Sequence, residues 1–77
     1  VLKVCVVENT YKQSAENLAS AVKANRKRLG LSQEAFAYEA QIDRTYVSQI
    51  ERGIANPSLS VIAKIADVFK MAIKDLL

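Results

Sequence analysis

Helix stop and start signals crowd the middle of this chain, and they limit it to short helices. Gly30 ends one apolar-periodic segment and Ser32 can cap the next. Asp43 stands where another helix begins, and Gly53 where it ends. Pro57 lacks the N–H that a helix interior requires, and Ser58 follows as a further N-cap.

Between these marks the apolar residues recur at helical spacing. Ser14 is expected to cap the first helix, with Glu16 in its positive first turn. Leu18, Val22 and Leu29 share one face, with Ala21 beside them. Phe36, Ala37 and Ala40 form the buried stripe of helix two, although Ala35 occupies the place where a full capping box has Glu or Gln. Gln41-Ile42 is the turn. Helix three runs to Arg52, helix four from about Leu59 to Phe69, and a short last helix spans about Ala72 to Leu77. The expected fold is all-α: five helices over residues 14–77, preceded by an arm over residues 1–13. "VLKVCVV" is β-branched but meets no second strand-like run, so the arm is either disordered alone or paired with another subunit's arm.

At 77 residues there is room for one small domain with a thin core. Catalysis by a Cys–His or Ser–His pair is excluded because the chain has no histidine, and no enzymatic role is expected. Metal-ligand clusters are absent, so no metal is expected. With no room for an effector domain, no cofactor or small-molecule ligand is expected either. The lone Cys5 cannot form an internal disulfide, which suits a reducing cytoplasm. No apolar run reaches the length of a membrane span, and the opening lacks the length and cleavage site of a secretory signal. The net charge of +3 suits either ordinary solubility or an anionic partner.

Helix three discriminates between these two. On a wheel of about 100° per residue, Val47 and Ile50 fall together toward the core. Arg44, Thr45, Ser48, Gln49 and Arg52 fall on the opposite arc, with Glu51 at its edge. A solvated face usually mixes both signs of charge, and the centre of this arc excludes carboxylates. Its groups match base edges: Arg bonds bidentately to guanine, Gln to adenine, and Ser or Thr to several bases. Helices two and three, joined by a short turn with the small Ala37 at their crossing, follow the helix-turn-helix pattern.

"LSQE", "DRTYVSQIERG" and "NPSL" occur in order, and the chain from Ala15 to Leu77 resembles the lambda-repressor/Cro-like (XRE) helix-turn-helix family. Its "DRTY" is similar to the helix-three opening of restriction–modification controller proteins. The resemblance implies a homodimer on two-fold double-stranded operator DNA. By position it implies base reading by Arg44, Thr45, Ser48 and Gln49, and phosphate or backbone contact by Gln33, Arg52 and Asn56. An anion at Gln33 is also physically sound, because the free N–H groups of a helix N-terminus attract one. Tyr46 flanks the arc and either reaches DNA or only packs on helix two; Tyr38 reads as plain surface. Arg26 resembles the family arginine that pairs with the glutamate after helix three, here Glu51, which leaves Lys27 and Arg28 as free charges that either approach phosphate or lie on a solvated face. Three departures stand out: Gln41 and Lys70 occupy turn positions where the family has Gly, and Ala72 replaces a Ser cap.

Helix four is apolar on more than one face. Val61, Ile65 and Val68, continued by Met71, Ile73 and Leu76, exceed what a thin core needs and are expected at a dimer interface. The leading expectation is a transcription regulator without a ligand domain, controlled by concentration, dimerisation or partners. The alternative is an antitoxin or adaptor that holds another protein on its C-terminal helices.

Overall fold

A computed structural model describes the backbone from Leu2 to Leu77 and the side chains of Thr10 and residues 12–77. The described chain contains α1 (Leu2–Arg28), α2 (Gln33–Ala40), α3 (Arg44–Glu51), α4 (Leu59–Phe69) and one 3-10 turn, Ile73–Asp75. The all-α class is as expected, but the fifth helix is only that single turn. Ala72 offers no side-chain hydrogen bond to start it, so the segment stays short.

Helix one also differs from expectation. It is continuous from Leu2, so Ser14 lies inside it rather than capping it, and the strand-like opening is helical. Neither Gly nor Pro occurs before Gly30, so the sequence supplies no break there. The pairing expected of the arm concerns side chains outside the described residues.

The three later caps form as the sequence predicts. Ser32 Oγ accepts from Ala35 N–H (3.0 Å), Asp43 Oδ2 from Thr45 N–H (3.1 Å) and Ser58 Oγ from Val61 N–H (3.3 Å). The four helix ends share one pattern. Past each C-terminus, one residue turns left-handed and the next donates back to a carbonyl five residues earlier: Leu31 to Arg26, Ile42 to Ala37, Ile54 to Gln49 and Met71 to Ala66. The left-handed positions are Gly30, Gln41, Gly53 and Lys70.

The core gathers Leu18 and Val22 of α1, Phe36, Ala37 and Ala40 of α2, Val47 and Ile50 of α3, and Ile65, Ala66 and Phe69 of α4. Phe36 and Phe69 stack at its centre, with ring centroids 5.0 Å apart. Leu76 closes the base, and Asn17 Nδ2 of α1 donates to the Leu77 carbonyl (2.9 Å). Leu29, expected on the buried face, lies beyond the end of α1 and is 43% exposed. Ile65 and Leu76, expected at a dimer interface, are 0% and 1% exposed within a single chain. A side chain already covered by its own core has no area left to offer a partner. Of that expected set, Val61, Val68, Met71 and Ile73 remain half-buried.

Candidate nucleic-acid interface

Helix α3 is anchored by the full burial of Val47 and Ile50 on its inner side. Its outer side carries Arg44 and Thr45 exposed and Ser48 and Gln49 half-buried, with Arg52 exposed at the C-terminal cap. The five polar residues grouped on the wheel are thus brought onto one face. Asn56 is exposed on the following loop, beside the buried Ala55. Tyr46 is half-buried with its ring packed against the core, so packing is the contact this structure displays for it. Tyr38 is 83% exposed.

The acid of helix three is withdrawn from that face. The Glu51 side chain is 3% exposed and lies against Arg26, whose own side chain is 11% exposed. Arg26 Nε donates to Glu51 Oε2 at 2.6 Å and Nη2 to Oε1 at 3.0 Å, while Nη1 donates to the Leu31 carbonyl at 2.8 Å. Burial alone raises the Glu51 pKa by removing its water. The hydrogen bonds from Arg26 and then Gln33 outweigh that penalty, with help from the positive charges of Arg26 and Lys23, and hold the carboxyl below its ordinary range. The bond to Glu51 in turn raises Arg26, against the opposing cost of its burial.

Gln33 is the member of this network that sequence reasoning missed. It opens α2 and is half-buried, and its Nε2 donates to Glu51 Oε1 at 3.1 Å. The expected pair is therefore a bridge across three helices: the end of α1, the start of α2 and the end of α3. Ser32 at the N-cap places Gln33 at the first helical position, but its reach to a residue eighteen positions away depends on how α2 crosses α3. Lys27 and Arg28 are exposed, and Arg28 bonds only its neighbour Asn25 among the described contacts.

Among the described residues there is no group of three or more His, Cys, Asp or Glu side chains that can hold a metal ion, and no helix long and apolar enough to cross a membrane. The surface depressions of the described residues include two that adjoin α4. The larger, about 640 Å³, lies where α1, α2 and α4 end, and Leu29, Glu39, Gln41, Lys64 and Lys70 are among its lining residues. The smaller, about 160 Å³, is lined by Ser14, Leu18, Asn56, Ile62 and Leu77 among others.

Two helices crossing through a left-handed turn, the second with an acid-free polar face, form a recognisable unit. The helix-turn-helix family profile matches residues 22–76. This chain belongs to the helix-turn-helix family. The helix-turn-helix match takes in α2, α3, α4 and the terminal 3-10 turn. It is 49% identical over 47 residues to the control protein C.BamHI of Bacillus amyloliquefaciens, covering 61% of this chain and 58% of that protein. It is 46% identical over 44 residues to the control protein C.MunI of a Mycoplasma species, covering 57% of this chain and 60% of that protein. The match thus spans about three fifths of either relative. Among solved structures, the restriction–modification controller protein C.AhdI of Aeromonas hydrophila matches with a TM-score of 0.77 and 33% identity, over 82% of this chain and 96% of that one. In this helix-turn-helix domain, Arg44 to Glu51 form the second helix of the motif.

Proposed function

We propose that this helix-turn-helix protein binds double-stranded DNA by sequence and regulates transcription, as a symmetric dimer controlling a restriction–modification system. The observation that carries the reading is the outer face of α3. Arg44, Thr45, Ser48 and Gln49 stand together there, and Glu51 is turned inward against Arg26. A major groove accepts an α-helix, and these side chains supply the donors and acceptors that distinguish base pairs. The similarity to control proteins favours this reading over that of an adaptor for another protein.

In this reading Gln33, Arg52 and Asn56 contact the phosphate backbone and set the register, while the four residues of α3 read bases. Tyr46 sits at the edge of that surface. The DNA-binding unit is residues 14–77, and residues 1–13 precede it as an arm that, from Leu2, continues the helix of α1. The protein acts without cofactor or catalysis, in the cytoplasm where the DNA lies.

Dimerisation rests on the apolar residues that the single chain leaves partly uncovered: Val61, Val68, Met71 and Ile73, joined by Leu59 at 69% exposure and Leu77 at 46%. Two copies would place their recognition helices about 34 Å apart, one turn of duplex. Occupancy then rises steeply with protein concentration, because assembly and DNA binding are linked.

The test is selection of bound duplexes from a random pool, with affinity followed against salt and mass measured in solution. A two-fold sequence bound by two chains, with affinity falling as salt rises, is the expected result. A failure to enrich any sequence, or a single-chain mass on DNA, would contradict it.

A further inference from the structure

We propose that Glu51 is a positioning residue for DNA backbone recognition, acting through Gln33 without touching DNA itself. The inference rests on the reading of this surface as a DNA interface. Glu51 is 3% exposed, so it offers almost no surface to a ligand, and a carboxylate beside a phosphate would repel it. It nevertheless accepts from the amide of Gln33, at the N-terminus of α2 where backbone N–H groups have no intrahelical acceptor.

A carboxylate is acceptor-only, so it fixes which end of the Gln33 amide it meets. Nε2 must face Glu51, and the amide cannot turn its carbonyl oxygen there. One of the two Nε2 hydrogens is committed to Glu51, and the other remains for an outside acceptor. Arg26 holds the carboxylate in turn through two bonds, and is itself fixed to the Leu31 carbonyl. The donor at the head of α2 is thereby tied to the last residue of the recognition helix. Side-chain freedom that Gln33 would otherwise lose on meeting phosphate is already lost in the free protein. The coupling also fixes the distance between the phosphate contact and the base-reading face, so both engage in one register.

The test uses the full chain, with the side-chain amide of Gln33 observed by NMR and affinity measured on a duplex selected from the random pool. In the free protein, one Nε2 hydrogen is expected to exchange at least about tenfold more slowly than its partner. It should also shift as Glu51 is titrated in acid. On adding DNA, the second hydrogen should respond. Gln33→Ala and Glu51→Gln should each weaken binding, by roughly tenfold, and the double variant should be no weaker than the worse single. Glu51→Gln disturbs Arg26, so its binding is measured at a temperature where circular dichroism shows it folded. The amide readout on the parent needs no variant. Two equivalent, fast-exchanging Nε2 hydrogens, or losses that multiply in the double variant, would overturn the positioning role while leaving DNA binding intact. A parent chain that selects no DNA would remove the reading beneath it as well.

Discussion

Gln41 and Lys70 hold the same left-handed conformation, φ 57° and 56°, at the ends of two helices that pack on each other. Gly30 and Gly53 hold it at the other two ends, with φ 71° and 75°. Only glycine adopts this region without a Cβ penalty, which is about 1–2 kcal/mol for other residues. Gln41→Gly and Lys70→Gly should therefore each stabilise the fold by about 1 kcal/mol. Thermal unfolding would show this as a rise of about 4–8 °C. The reverse change is a control free of crowding, since a Cβ added at Gly30 or Gly53 would meet nothing within 4 Å. Gly30→Ala should thus lower stability by a similar amount through backbone strain alone.

Arg26 binds both Glu51 and the Leu31 carbonyl, and it needs its planar fork to do so. Arg26→Met leaves the Glu51 carboxylate buried without its cation. That should destabilise by about 3–5 kcal/mol in urea unfolding. Arg26→Lys keeps the charge but cannot reproduce three directed bonds, so it should recover only part of the loss. Equal stability of parent and Arg26→Met would show that the bridge contributes nothing.

The same pair sets a dependence on acid. The folded-state pKa of Glu51 lies below its unfolded value, so its contribution is complete above the ordinary carboxylate pKa of about 4.3. It is lost as pH falls from there through the lower folded value. Arg26 is raised at the alkaline extreme and adds nothing to this window. Urea midpoints taken between about pH 7 and 3 should fall for the parent, and fall less for Glu51→Gln, which has no proton to gain.

Much of this was readable from residues because the decisive features are local. Ser32, Asp43 and Ser58 cap where expected, since a cap needs only its own next turn. Phe36, Val47 and Ile50 are buried where helical spacing puts them. The start of α1 departs from the sequence expectation because Ser14 has the chemistry of a cap but no helix break before it. Ile65 and Leu76 lie in the core rather than at an interface, because periodicity shows that a face is apolar, not whether the same chain covers it. The Gln33 bond to Glu51 joins two helices through their crossing angle, which no spacing rule contains.

Phe36 and Phe69 join α2 to α4, with ring planes 9° apart and exposures of 0% and 6%. Phe36→Ala should cost about 3–5 kcal/mol, enough to unfold so small a domain. Phe36→Leu keeps most of the volume but forfeits the ring pairing, worth about 0.5–1.5 kcal/mol. Chemical denaturation separates the two. Similar losses for both would mean that ring volume is not what holds these helices together.

On the proposed reading of this surface, Arg44 and Gln33 offer the sharpest separation of base reading from backbone contact. Arg44 is exposed at the first position of α3, and no hydrogen bond among the described contacts ties its side chain down. Its removal should leave the fold intact. Arg44→Ala should cost about 1–3 kcal/mol on the selected duplex and relax preference at one base pair per half-site. On unrelated duplexes it should lose much less. Gln33→Ala should weaken selected and unrelated duplexes by the same factor, because phosphates carry no sequence. Competition binding on both kinds of duplex gives the two ratios directly. If Arg44→Ala kept the full sequence preference of the parent, the outer face of α3 would not be the surface that reads bases.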